Sequence, residues 1–331
     1  MNILVNLPDA FFRSPGVASA FDRLARLGTV RTASHYTPDE LLPDLPWAEA
    51  ILMWAWPVWT DALLDAAPAL KYSGHLDITQ SGARVVLARG LPVSVSRGGW
   101  SPAVAEMALA LILGLLRKTS DYHAQMRAGT ERWSRDQPGD VDPLERELTG
   151  RPVGLVGFGQ VGRRLAELLA PFRCPLWVVD PFVPEEVIQA HHARRVGLDE
   201  MLQESDVVVL CAASNAGTRL LLGERELSRL RPDAVLVNVA RAALVDTDAL
   251  AARLRQGGLS AALDVFDREP LERDSALRAL PNVHLTPHRA GGTLASFLRN
   301  LHWLADDLEA VWSGRERHYA LTEQMLPSLD A

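Results

Sequence analysis

Residues 153–162 read Val-Gly-Leu-Val-Gly-Phe-Gly-Gln-Val-Gly. A short apolar run, Val153–Val156, enters Gly157-x-Gly159-x-x-Gly162, and a helical pattern over Val161–Leu169 follows. Three glycines at this spacing between a strand and a helix form a dinucleotide-binding turn. Gly157 permits the tight turn, Gly159 lets backbone approach a pyrophosphate, and Gly162 lets the helix pack on the strand. The helix start, at Gln160 and Val161, offers free N–H groups and the positive dipole end to that anion. The next apolar run, LWVVD, ends in Asp180, eighteen residues past Gly162. A carboxylate there grips a ribose diol and repels a 2′-phosphate. No Arg or Lys follows in Pro181-Phe182-Val183, so the expected cofactor is NAD rather than NADP.

Outward from this fingerprint, apolar runs and helical patterns alternate, which predicts an α/β protein with parallel sheets. Upstream, strands are expected at Asn2–Asn6, Ala50–Trp54 and Pro92–Ser96, and helices at Ala18–Leu27 and Thr60–Ala67, the latter ended by Pro68. A long apolar helix runs from about Ser101 to Ala128, with Ser101 as N-cap and Pro102 at the first helical position. Residues 129–150, with Asp136, Gln137, Pro138, Gly139 and Asp140, read as a surface loop. Downstream, strands are expected at Trp177–Val179, Val207–Cys211, Ala234–Asn238, Ala261–Val265 and His284–Leu285. Helices fall at Leu198–Gln203, Glu224–Leu230, Asp246–Gln256 and Thr293–Ser313.

A chain of 331 residues predicts two domains. Its 48% hydrophobic and 23% charged residues exclude a disordered chain. The net charge of −7 leaves no basic surplus to neutralise phosphates, which argues against a nucleic-acid partner. Cys174 and Cys211 form no CxxC pair, so neither a disulfide framework nor a thiolate metal site is expected, and a reducing, cytoplasmic setting fits. The start, MNILVNLPDAFF, lacks the pattern of a signal peptide. The most apolar stretch, Ala103–Leu116, is interrupted by Glu106 and is shorter than the roughly 20 residues of a membrane span, so it reads as a buried helix and no membrane partner is expected.

Three downstream segments carry candidate chemistry. LVNVAR (236–241) ends in Arg241, LDVFDREP (263–270) contains Glu269, and LTPHRAGG (285–292) contains His288. Each follows an apolar strand, and ligands of open α/β sheets bind at the carboxyl ends of strands. Arg, Glu and His beside a dinucleotide suggest hydride chemistry on a carboxylate-bearing carbonyl compound. Arg241 would clamp the carboxylate bidentately. His288 would pass the proton to or from the oxygen, and Glu269 would hold the His and favour its charged form.

Together with VAEMALALILGLLR, GFGQVGRRLAELL, VVDP and ARAALVD, these segments form an ordered series that resembles the D-isomer-specific 2-hydroxyacid dehydrogenases. The resemblance covers nearly the whole chain and is strongest from Val104 to Gly292. It implies Arg241 as substrate clamp, His288 as acid/base and Glu269 as its partner. It places Asp180 on the adenosine ribose and Asp264 near the nicotinamide side. Cys211, Ala213 and Thr218 would lie along the cofactor, and Val239 and Ala240 would flank the nicotinamide. Two Rossmann-like or flavodoxin-like domains are implied: a split substrate domain, 1–99 with 289–331, and an inserted NAD-binding domain, 100–288. The resemblance also implies a cleft between them, a small 2-oxo or 2-hydroxy acid as substrate, and a homodimer through the long helix.

Two features depart from the family pattern. Ala242 stands where the family has Gly after the clamp Arg. The substrate loop, YSGHLDITQSG, is about two residues shorter than the family's G-x-G-x-D segment, and Gly74, His75 and Leu76 are its candidate substrate contacts. Nine tryptophans are many for this length, and three cluster in MWAWPVWT. Trp56 or Trp59, with Trp100, would line a broad apolar pocket, against the alternative of core packing. Among other readings, formate oxidation uses a Gln partner for the His, which Glu269 opposes. Long phosphoglycerate dehydrogenases carry a further regulatory domain. A reading from another class is an NAD-sensing, corepressor-like binding protein of the same fold.

Overall fold

The computed structural model describes residues 1–133 and 142–329. The centre of the expected surface loop, with Asp136, Gln137, Pro138, Gly139 and Asp140, lies outside the described residues. The chain divides into two compact units, Met1–Trp100 with Gly292–Ala331, and Ser101–Gly291. The divisions fall at 100/101 and 291/292, against the expected 99/100 and 288/289.

The first unit holds β1 (Asn2–Asn6), β2 (Thr29–Ala33), β3 (Ala50–Met53), β4 (Tyr72–His75) and β5 (Val93–Val95). They form one parallel sheet in the order β2-β1-β3-β4-β5. β3 is buried along its whole length, as expected of a strand covered on both faces. Helix Leu294–Trp312 returns to this unit. Its Leu301, Leu304, Ala305 and Leu308 are at most 1% exposed and share a core with Ile3, Val5 and Leu52.

The second unit holds β6 (Val153–Val156), β7 (Leu176–Val179), β8 (Ala193–Arg195), β9 (Val207–Leu210), β10 (Ala234–Asn238), β11 (Leu259–Leu263) and β12 (Val283–Leu285). Their order, β12-β11-β10-β9-β6-β7-β8, is the doubly wound dinucleotide-binding order with one strand added. β6 and β9 run parallel, but the order in which strands are added reverses between them, and a ligand crevice opens at such a switch point. Helices Ser101–Leu116 and Gln160–Leu169 cover one face with Val153, Leu155, Val207 and Val209. Helix Thr247–Arg255 covers the other, with Leu236, Leu244 and Leu263.

The long helix differs from expectation in two ways. A 3₁₀ turn, Arg97–Trp100, runs directly into Ser101–Leu116, so Ser101 is inside the helical run and does not cap it. The run then breaks at Lys118, which has a left-handed φ of 49°, and resumes as Thr119–Ala128. The stretch Arg97–Leu116 is long and apolar enough by composition to cross a membrane. Its Ala105, Ala108, Leu111 and Ile112 are at most 3% exposed and pack into the second unit's core, which is how a core helix behaves.

Candidate active site

The glycine turn follows from sterics. Gly157 has φ +90°, and a Cβ there would lie 2.6 Å from the Ala212 backbone just past β9. A Cβ on Gly162 would lie 2.4 Å from the Gly157 carbonyl oxygen, so only glycine lets the helix close on the turn. A Cβ on Gly159 would meet nothing within 4 Å. That space, at the N-cap of Gln160–Leu169, is a cradle where backbone can approach a pyrophosphate. The residues present therefore fit a dinucleotide.

Asp180 lies just past β7. Its Oδ2 accepts the Phe158 N–H at 2.8 Å, and its Oδ1 accepts the N–H groups of Phe182 and Val183 at 2.9 and 3.1 Å. The carboxylate is thereby oriented beside the turn. The Arg195 guanidinium donates to the carbonyls of Asp180 and Val183 and pairs with Glu185 at 2.9 Å. Farther along, Thr218 donates to the Ala213 carbonyl at 2.7 Å and accepts the Asn215 N–H at 2.9 Å, closing the loop after β9. Cys211 is bonded through its N–H to the Val156 carbonyl, and burial pushes its thiol up to about 12. It is a neutral apolar surface, not a nucleophile.

Arg241, Glu269 and His288 follow β10, β11 and β12, three adjacent strands. Two strand spacings place the outer two of these strand ends about 10 Å apart. Val239 and Ala240 are buried, and Arg241 leaves the turn after them in extended conformation. Buried Asn238 closes that turn: its Oδ1 accepts the Ala240 N–H at 3.0 Å and its Nδ2 donates to the Arg241 carbonyl at 3.0 Å. Sequence reasoning passed over Asn238, although an Asn at a strand end is an Asx-turn signal.

His288 Nδ1 lies 2.7 Å from Glu269 Oε2, and Glu269 Oε1 accepts the Phe266 N–H at 3.0 Å. This fixes the ring and leaves Nε2 as its other nitrogen. His288 has φ +50°, a conformation a non-glycine residue holds only when its surroundings impose it. The imposing group is Asp264. Its carbonyl accepts the His288 N–H at 2.8 Å, and its fully buried carboxylate takes the Thr286 hydroxyl and the N–H groups of Arg289 and Ala290. The Asp264 carboxylate thus serves the His288 loop.

The first unit corrects the expected substrate loop. Tyr72–His75 is strand β4, and Gly74, His75 and Leu76 are all buried. A Cβ on Gly74 would collide with Leu52 and Tyr72. His75 is 1% exposed, and burial lowers its imidazole to about 4. Its Nδ1 donates to the Trp54 carbonyl at 3.2 Å, and Nε2 accepts from Trp59 Nε1 and the Ser73 hydroxyl at 3.2 and 2.8 Å. A neutral ring with both nitrogens satisfied by protein is a core histidine. Trp59 is core as well, at 2% exposure, whereas Trp56 is half-buried.

Comparison with known proteins agrees with this geometry. The D-isomer specific 2-hydroxyacid dehydrogenase NAD binding domain matches residues 109–290. The chain is 34% identical over 258 residues to a glyoxylate reductase of Aeropyrum pernix, covering 76% of each protein. It is 32% identical over 293 residues to a glyoxylate reductase of Thermofilum pendens, covering 83% of this chain and 82% of that one. A protein structure from Thermus thermophilus matches with a TM-score of 0.80 at 29% identity, over 97% of this chain and all of that one. The apo Rhodotorula graminis D-mandelate dehydrogenase shares the fold at a TM-score of 0.84 and 23% identity, over 97% of each chain. Extensive relatedness and the preserved cofactor turn place this chain in the D-isomer-specific 2-hydroxyacid dehydrogenase family, whose oxidoreductase chemistry uses NAD.

Proposed function

We propose that the protein interconverts a 2-oxo acid and a D-2-hydroxy acid, with Arg241 as carboxylate clamp and His288 as acid/base. The observation that carries this is the 2.7 Å Glu269–His288 pair, held on a strained loop by Asp264. Bound at the glycine turn, NADH supplies the hydride. Arg241 presents a planar fork that orients the substrate by its carboxylate. Glu269 holds Nδ1, so the His288 proton available to the substrate oxygen is on Nε2. In reduction Nε2–H donates that proton as the alkoxide forms. In oxidation neutral Nε2 accepts it. Asp180 sets the preference for NAD over NADP.

A panel of 2-oxo acids with NADH, followed at 340 nm, tests this. Turnover is the expected result. Absence of turnover in protein that binds NADH would favour the NAD-sensing reading. Helix Thr119–Ala128 has no buried residue, and Tyr122, Met126 and nearby Trp133 are 40%, 51% and 54% exposed. These exposed apolar side chains support a homodimer, and light scattering should give twice the chain mass. Both cysteines are free, which supports a reducing, cytoplasmic location.

A further inference from the structure

The outermost strand of the seven-stranded sheet, β8, has three residues, Ala193-Arg194-Arg195. Its register sets Arg195 beside Val178 of β7, two residues before Asp180. Successive side chains of a strand point to opposite faces. Arg194 lies over the Trp177 ring at 5.4 Å and pairs with Glu200 at 3.1 Å. Arg195 goes the other way, to the turn that carries Asp180.

An arginine beside this position is also what a 2′-phosphate site uses. The hydrogen bonds decide between the two uses. Each of the three Arg195 guanidinium nitrogens is engaged. Nε donates to Glu185 Oε2 at 2.9 Å, and the two terminal nitrogens donate to the carbonyls of Asp180 and Val183. Glu185 supplies the compensating charge, and Arg195 holds its carboxyl below the usual carboxylate range. A guanidinium with its fork on backbone carbonyls and its charge paired has little left for a phosphate.

The same turn is bonded from inside by Asp180. Its Oδ1 accepts the N–H groups of Phe182 and Val183 at 2.9 and 3.1 Å. Its Oδ2 accepts the Phe158 N–H of the glycine turn at 2.8 Å. The carboxylate therefore takes N–H groups of the turn, and the guanidinium takes the carbonyls of its first and last residues. Asp-Pro-Phe-Val can make the inner bonds as an Asx turn without help. Arg195 ties that turn to the neighbouring strand, so the carboxylate is fixed before a ribose arrives. Ordering paid in advance is ordering that binding need not supply.

We propose that Arg195 is the positioning residue for the preference for NADH over NADPH: it acts through Asp180 and does not receive a phosphate. The inference deepens the reading of Asp180 given above and rests on it. The two uses of Arg195 differ in sign. A phosphate receiver, once removed, would weaken NADPH and widen the preference. A positioning residue, once removed, weakens NADH and narrows it.

The test measures Kd for NADH and NADPH in wild type, Asp180→Ala, Arg195→Gln, Arg195→Lys and the double variant Asp180→Ala with Arg195→Gln. Hydrogen exchange of the cofactor-free proteins follows the amides of residues 180–183 alongside. Arg195→Gln should weaken NADH about tenfold, the scale of one charge-assisted hydrogen bond, and leave NADPH within about twofold. Arg195→Lys should match it, because an ammonium does not span both carbonyls and Glu185 as the fork does. In the double variant the NADH Kd should equal that of Asp180→Ala within about twofold, since losses that act through one group do not add. The Phe182 and Val183 amides of cofactor-free Arg195→Gln should exchange faster than those of wild type. A larger loss for NADPH than for NADH in Arg195→Gln makes Arg195 a phosphate receiver and overturns the inference. So do full NADH affinity in folded Arg195→Gln, wild-type behaviour of Arg195→Lys, additive losses in the double variant, and unchanged exchange at the two amides. Should Arg195→Gln fail to fold, Arg195→Lys carries the same prediction. An unchanged NADH-to-NADPH ratio in Asp180→Ala removes the reading of Asp180 and the inference with it. A narrowed ratio there, with a full one in Arg195→Gln, removes the inference alone.

Discussion

Glu269 and His288 are nineteen residues apart in sequence and 2.7 Å apart in space, and each depends on a neighbour that does no chemistry. Phe266 supplies the N–H that turns Glu269, and Asp264 supplies the bonds that hold His288 at positive φ. Replacing His288 by Asn should lower kcat by about 10²- to 10⁴-fold, the usual worth of a positioned acid/base, with the NADH Kd within a factor of two or three. Arg241→Lys keeps the charge and loses the fork, so kcat/KM should fall steeply for 2-oxo acids while NADH affinity holds. Stopped-flow NADH binding beside steady-state kinetics separates the two effects, and near-normal turnover would remove Arg241 from the site. Asp180→Ala should narrow the NADH-over-NADPH ratio of kcat/KM, and an unchanged ratio would show that Asp180 does not set it. The three candidate residues were legible because each follows an apolar strand. Asn238 and Asp264 were less so, because their role is to bond backbone a few residues or a loop away, and composition does not announce that.

At the scale of elements, the three glycines of the turn make a graded series. Gly162→Ala places a Cβ 2.4 Å from a carbonyl oxygen, so it should destabilise the second unit by several kcal/mol and abolish NADH binding. Gly159→Ala meets no protein atom within 4 Å and should keep the thermal midpoint while weakening NADH binding. Equal NADH affinity in that variant would move the pyrophosphate away from Gly159. Strands with continuous apolar runs, such as β9 and β10, were readable. β2 was passed over because Thr29–Ala33 is an edge strand with no buried residue, and β8 because it has only three residues. The resemblance places a substrate loop at YSGHLDITQSG, whereas Tyr72–His75 of it is strand β4. It is buried because Trp59 and Trp54 satisfy His75, a pairing invisible in local sequence. That burial has a pH signature. The folded imidazole is lowered to about 4 against about 6.5 unfolded, so the unfolded chain binds the proton more readily. Stability is complete above the unfolded value and is lost as pH falls from about 6.5 toward 4, by roughly 3 kcal/mol in all. Urea midpoints between pH 7.5 and 4.5 should show this slope, and His75→Gln should reduce it.

For the whole molecule, the chain enters the second unit after Trp100 and leaves it after Gly291. The second unit is one uninterrupted segment, while the first is completed only by helix Leu294–Trp312. The submerged Leu301, Leu304 and Leu308 each contribute on the order of 2 kcal/mol to its core. Timing at the ribosome follows from this. Everything the NAD-binding unit needs has been made by residue 291, whereas residues 1–100, made before it, lack their covering helix until Trp312 has been added, on the order of 200 residues and ~10–40 s later at the usual rate of synthesis. During that interval the apolar face of β1 and β3 awaits its partner, and a chaperone that recognises exposed apolar strands has its opportunity there. A nascent chain stalled so that 291 has just cleared the exit tunnel should resist protease from 101 to 291 and be cut readily before 100.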